Sequence, residues 1–160
     1  MKLYIQQKVF SFTDSFNVYD QWGKTVYSVE GKFLSIGKKL FVYDTFGNEA
    51  AYIEQKVLSF LPRYFVFTGG VQRAEIVKSF TLFRHRYTVE GPGWEVNGNF
   101  LAHDYEVTRG GVPVIRISKQ WLSFGDCYEL DITDGESEVL ALSVVLAIDC
   151  AMAQANSNNN

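Results

Sequence analysis

One short phrase is written three times along the chain, and its spacing limits the fold more than any single residue does. It reads Ile5-Gln6-Gln7-Lys8-Val9-Phe10-Ser11-Phe12, then Ile53-Glu54-Gln55-Lys56-Val57-Leu58-Ser59-Phe60, then Ile117-Ser118-Lys119-Gln120-Trp121-Leu122-Ser123-Phe124. The first two copies agree at six of eight positions. Four residues beyond each final Phe comes an aromatic (Phe16, Tyr64, Tyr128), and two further on an aliphatic (Val18, Val66, Leu130). A weaker copy runs from Ile76 through Phe83 to Tyr87 and Val89. Solenoid repeats stack at a fixed interval, and these copies are spaced too unevenly for that. A hairpin used several times within one closed sheet fits the spacing.

Turn chemistry supports the same reading. Tyr19-Asp20-Gln21-Trp22-Gly23 and Tyr43-Asp44-Thr45-Phe46-Gly47 share one formula. Asp opens a type I turn by bonding the backbone two residues on, and Gly at the fourth position tolerates positive φ. Gly69-Gly70 and Gly110-Gly111 are further hairpin signals. The intervening stretches alternate, and aromatic residues reach 16%, with 13 Phe and 9 Tyr against 3 Pro. Such side chains suit a pleated, half-buried surface. The expectation is about twelve strands over residues 2–133, with at most a single helical turn near Phe33–Ile36.

The pattern changes after Thr133. Thr133-Asp134-Gly135-Glu136 has capping-box spacing, and Val139–Ile148 is apolar on every face. A helix apolar all round must be buried in protein or lipid. Ten to fifteen residues fall short of the roughly 20 needed to span a bilayer, so burial in protein is expected. A helix is about 10–12 Å across with its side chains. An eight-stranded barrel fills itself with side chains, whereas an eleven-stranded can holds a helix. The fold expected is therefore mostly β, a closed antiparallel barrel of about twelve strands enclosing a hydrophobic C-terminal helix over about 136–153. One domain spans residues 1–154, and 155–160 form a disordered tail. Ser143 should return its hydroxyl to a carbonyl one turn back. Asp149 should lie at the barrel mouth or pair with a barrel side chain.

The phrases Tyr43-Asp44-x-x-Gly47 and Ile53-x-Gln55-Lys56-Val57-Leu58-Ser59, with an apolar helix ending near Ile148-Asp149, resemble the LURP-one-related family. That family belongs to the tubby C-terminal-like superfamily, which includes the phospholipid scramblases. The resemblance covers roughly residues 2–153 and implies a twelve-stranded barrel around a central hydrophobic helix. It also implies a possible role for a basic surface, since tubby-like domains bind phosphoinositide headgroups and scramblases associate with membranes. Many bacterial and plant members have no assigned biochemical activity.

Catalytic signatures are absent from the sequence. There is no Gly-x-Ser-x-Gly elbow, and the two histidines, His85 and His103, form no zinc motif. Gly31–Lys39 lacks the glycine spacing and the Ser or Thr of a phosphate loop. No catalytic residue, metal or cofactor is expected. Cys127 and Cys150 form no CxxC pair or disulfide framework, and no signal peptide opens the chain. The location expected is cytoplasmic, either free or peripheral at the membrane, with no transmembrane segment.

Charge is uneven. Residues 1–119 hold all 15 Lys and Arg against 11 acids, whereas 120–160 hold seven acids and no Lys or Arg. A mildly cationic barrel could meet an anionic partner, although solvated charge runs are common. The candidate anion-binding residues are Lys78, Arg84 and Arg86, with Lys38, Lys39 and Arg63 as weaker ones. On a strand, Arg84 and Arg86 share a face and could chelate phosphate oxygens. A pI near 5.4 argues against nucleic acid. The expected function is a non-enzymatic binding module for anionic phospholipid headgroups or a protein partner. The alternative is a small-molecule-binding or enzymatic barrel with a site at its mouth, built on Asp149 and His103.

Overall fold

The computed structural model describes residues 1–6, 15–33, 37–81, 84–99, 102–122 and 125–157, and the side chains of these apart from 33, 79–81, 84–86, 121–122, 125–126 and 155–157. Twelve strands precede one helix: β1 (Lys2–Gln6), β2 (Phe16–Tyr19), β3 (Thr25–Phe33), β4 (Lys38–Tyr43), β5 (Glu49–Gln55), β6 (Arg63–Thr68), β7 (Val71–Thr81), β8 (Arg84–Glu90), β9 (Trp94–Asn99), β10 (Asp104–Arg109), β11 (Val112–Leu122), β12 (Gly125–Ile132) and α1 (Glu138–Ser157). Each strand pairs antiparallel with its neighbours in sequence, and β1 pairs with β12 to close the barrel. Closure leaves no exposed sheet edge. The single helical turn expected near Phe33–Ile36 falls on residues 34–36, outside the described residues, and Phe33 ends β3.

The repeated phrase becomes a repeated pair of cross-strand contacts. Its leading Ile is buried each time (Ile5, Ile53, Ile76, Ile117). Opposite it on the next strand sits the aliphatic: Ile5 faces Val18, Ile53 faces Val66, Ile76 faces Val89, and Ile117 faces Leu130. Two residues further along, the phrase places a polar side chain opposite a buried tyrosine: Gln55 faces Tyr64, Lys78 faces Tyr87, and Lys119 faces Tyr128. Cross-strand partners share a face, so all of these pairs point into the barrel.

The two ends of the barrel differ. At one end, the turn end, the connections are tight. Asp20 and Asp44 behave alike there: each Oδ1 accepts the amides two and four residues on, at 2.9 Å. Gly23 and Gly47 close the turns at φ 77° and 80°. The other end, here the mouth, carries the connections β1–β2, β3–β4, β5–β6, β7–β8, β9–β10 and β11–β12.

Helix α1 starts at the turn end and runs down the interior toward the mouth. Residues Ala141–Ala151 are buried on every face. Burying each aliphatic side chain is worth about 1.5–3 kcal/mol, so the helix is the nucleus around which the inward faces pack. Ser143 Oγ donates to Val139 O at 2.7 Å. The helix cap differs from expectation. Ser137 Oγ accepts from the Leu140 amide at 3.3 Å and Ser137 O receives the first helical bond from Ala141. Thr133 Oγ1 is engaged elsewhere, donating to Pro113 O on the neighbouring strand. α1 also continues to Ser157, beyond the expected end at 153. No helix among the described residues is long and apolar enough to cross a membrane.

Candidate ligand-binding mouth

The sequence asymmetry in charge becomes an axial one. The acidic segment after residue 130 folds to the turn end, where Asp131, Asp134, Glu136 and Glu138 join the turn aspartates. The mouth instead gathers cations from several strands. Lys38 opens β4, Lys56 and Arg63 flank the β5–β6 loop, Lys78 lies near the end of β7, and Lys119 near the end of β11.

The candidates separate into two groups. Lys38 shares the parity of buried Leu40 and Val42, Lys78 that of Ala74 and Ile76, and Lys119 that of Ile115 and Ile117. These three therefore belong to the inward-facing rows where they reach the mouth. Lys78 is only 9% exposed. Burial holds its ammonium below the ordinary lysine range, and no acid among the described residues pairs with it. Lys39 and Arg63 have the opposite parity and are already paired, Lys39 with Glu54 at 3.0 Å and Arg63 with Glu75 at 2.9 Å. Half-buried pairs at the surface, like these, contribute modestly to stability. Arg84 and Arg86 occupy β8 opposite Thr81 and Ser79, and their side chains, like that of His85, lie outside those described.

Just inside the lysines, the last turns of α1 meet a polar layer. Tyr128 donates to Asp149 Oδ2 at 2.8 Å. Tyr64 donates to Gln154 Oε1 at 3.1 Å, with Cys150 O at 3.4 Å. His103 stacks on Tyr128, ring centroids 4.7 Å apart, and holds a left-handed backbone at φ 50°, the kind of strain that clusters at working sites. Its Nδ1 is 3.9 Å from Asp149 Oδ1. That approach is not an ion pair. Burial, then the positive charge of Lys119, hold the His103 pKa down, while burial pushes Asp149 up to about 7 against the hydrogen bond from Tyr128. Both groups thus favour their neutral forms, as buried ionisable groups do. Asp149 Oδ1 accepts no hydrogen bond among the described residues. Burial raises Tyr87 to about 12, with Asp149 adding to it. Burial and then Asp149 also push up the Cys150 thiol, with Lys38 pulling the other way, so this cysteine is no ready nucleophile. Among the described residues no three His, Cys, Asp or Glu converge as metal ligands.

Part of this arrangement serves the helix itself. Acids near its start and lysines near its end complement the macrodipole, each worth about 0.3–1 kcal/mol. That role suits a lysine beside the last turn. It gives no reason for Lys56 on the outer rim. Sequence reasoning overlooked Lys119, yet the phrase contained the signal. Gln55, Lys78 and Lys119 all stand two residues after the leading Ile, the position that the register sends to the mouth.

The fold and its mouth define a class: a closed twelve-stranded antiparallel barrel threaded by an apolar helix, with cationic and titratable groups collected where the helix ends. The chain belongs to the LURP-one-related family, whose model matches residues 1–149. It is 34% identical over 152 residues to the uncharacterized protein YxjI of Bacillus subtilis (strain 168), covering 95% of this chain and 94% of that one. A solved Arabidopsis thaliana protein shares the fold with a TM-score of 0.65 at 15% identity, over 93% of this chain and 90% of its own.

Proposed function

We propose that this barrel is a non-enzymatic binding module whose mouth takes an anionic phospholipid headgroup, at the cytoplasmic face of a membrane. The reading rests on one observation above the others: Lys38, Lys78 and Lys119 arrive at one opening from three separate strands, and Lys78 is held nearly buried without a described acid beside it. Keeping an ammonium there is costly unless an anion arrives to share it. A phosphate could take charge-assisted hydrogen bonds from such a set. Each lysine near an anionic surface is worth about 1 kcal/mol at ordinary salt. Vesicle co-sedimentation tests the reading, comparing phosphatidylcholine alone with phosphatidylcholine plus phosphatidylserine at low and high salt. Binding confined to the anionic vesicles, weakened by salt and by Lys38→Ala with Lys119→Ala, is expected. Equal binding to both vesicle types, or none to either, would overturn it.

A second reading has its own observation. Asp149 Oδ1 lies buried beside His103 and Tyr128 and could accept a proton donor from a small polar molecule. Buried titratable groups near the end of a barrel are reasonable site candidates. A thermal-shift screen of small polar molecules against the protein and its Asp149→Asn variant tests this. A hit that loses its effect in the variant would favour a pocket inside the mouth over a headgroup on its rim.

A further inference from the structure

The β5–β6 connection, residues 56–62, lies at the mouth and leaves part of its apolar surface uncovered. Leu58 and Phe60 are fully exposed, at 101% and 108%, and Val57 is 43% exposed. Leu58 also holds a left-handed backbone, φ 61°, which ordinary side chains avoid. A leucine here is poorly suited to a turn that faces only water, where Gly or Asn would be easier. The loop is nevertheless well anchored. The Lys56 amide donates to Arg63 O at 2.9 Å across its base. Val57 lies over Gly37, where an added Cβ would come 3.0 Å from Val57 Cγ2. The loop is thus held beside Lys38, with Leu58 and Phe60 projecting outward.

Charge decides what those side chains could enter. Lys56 and Lys38 flank the loop, with Arg63, paired to Glu75, at its base, and the Lys56 ammonium sits 5.7 Å from the Phe65 ring centroid. The turn end has protruding aromatics too, Trp22 at 81% and Phe46 at 89% exposed. There they rise from turns opened by Asp20 and Asp44, with Asp131, Asp134 and Glu138 at the same end and Glu136 paired with Arg109. An anionic bilayer would repel that end and attract the other. A soluble polyanion would use the lysines but give the apolar tip nothing to enter. A bilayer, anionic outside and apolar a few ångströms deeper, matches both parts of the loop.

We infer that the β5–β6 loop is a membrane anchor: Leu58 and Phe60 enter the headgroup–acyl boundary of an anionic bilayer while the cations around them rest on its phosphates. This rests on the reading that the mouth takes anionic lipid, and it adds a direction of docking. The barrel stands end-on, with the turn end pointing away from the membrane.

The test uses the full chain with a single environment-sensitive thiol label. Cys127 and Cys150 are buried, so Leu58→Cys can be labelled selectively, and Val112→Cys, at the turn end, supplies a control site that is 65% exposed. With phosphatidylserine-containing vesicles the label at 58 should shift to the blue and be quenched by bromine-bearing acyl chains, while the label at 112 stays unchanged. Leu58→Ser with Phe60→Ser, both at exposed positions, should weaken vesicle binding about tenfold or more. Vesicle binding with no shift at position 58 would overturn the anchor and leave headgroup binding standing. Absence of vesicle binding would overturn both. A shift at 112 matching that at 58 would overturn the end-on direction.

Discussion

The two ends of this barrel are built from the same strands and stabilised by opposite means. At the turn end the strand connections are short, and those opened by Asp20 and Asp44 are hydrogen-bonded within themselves. Asp44 accepts the Phe46 and Asn48 amides and the Asn48 side chain, and these bonds hold its carboxyl below the usual carboxylate range. Arg109 grips Glu136 through two bonds at 2.7 and 3.0 Å. At the mouth, burial instead pushes groups toward their neutral forms, lowering Lys78 and His103 and raising Asp149. One end is optimised for closing the sheet. The other carries electrostatic cost that a ligand could relieve, the pattern expected where local rules yield to function.

The contrast can be broken most forcefully from the middle. Val145→Lys puts an unpaired charge inside the barrel on α1, where the native residue is fully buried. A loss of several kcal/mol is expected, enough to unfold a small domain, visible as lost cooperativity in denaturant. A folded Val145→Lys protein would mean the helix is not enclosed.

Asp149 should give the next largest effect, and one that depends on pH. Its ordinary value is about 3.9 and burial raises it to about 7 in the folded chain. Below about pH 4 both states are protonated and no penalty exists. Between about 4 and 7 the unfolded chain releases the proton while the folded one keeps it, so stability falls as pH rises. The loss levels off above 7, at an amount on the order of 4 kcal/mol. Asp149→Asn should match the parent at pH 4 and exceed it at pH 8 in urea titrations. The same decline in both proteins would assign it elsewhere.

Glycines sharpen the comparison at the level of the backbone. Gly98, on the mouth half of β9, has φ 135°, and a Cβ there would lie 2.6 Å from Tyr105 Cα and 2.7 Å from Asp104 O. Gly98→Ala should cost about 3 kcal/mol or more. At the turn end Gly47 has φ 80° with nothing within 4 Å, so Gly47→Ala should cost only about 1 kcal/mol of conformational strain. Thermal melts of the two variants would order them, and equal losses would remove the steric distinction.

The smallest effect on stability belongs to the mouth lysines. Lys38→Ala with Lys119→Ala should leave the melting free energy within about 1 kcal/mol while reducing anionic-vesicle binding. A large loss of stability with binding retained would make these lysines parts of the helix cap and nothing more.

Much of this was legible in the chain because it is encoded locally. Two Asp-x-x-Gly turns announce their hydrogen bonds, and a phrase repeated with its distant aromatic and aliphatic partners is a cross-strand register written in one dimension. The apolar run after Val139 could only be enclosed. Two things resisted. Thr133 and Ser137 are both capping residues by type, and the choice between them depended on Pro113 O, a partner twenty residues away in sequence. The mouth resisted for the same reason on a larger scale. Arg84-His85-Arg86 drew attention because its charges are adjacent in sequence, whereas Lys38, Lys78 and Lys119 come to one end of the barrel only when the strands close in a ring. Parity within the phrase was the clue, and it becomes readable once the leading Ile is known to face inward.

The placement of α1 has a consequence for how this chain is made. Among the elements described, the innermost is the last to leave the ribosome, and β1 must wait for β12 before Lys2 can meet Asp131. Until then a growing sheet holds an uncovered apolar lining with nothing to fill it. Pairings this distant in sequence form slowly, and such intermediates are prone to aggregate. The barrel therefore matures as a late, nearly all-or-none event, in which wrapping the helix and sealing the final seam belong to one step.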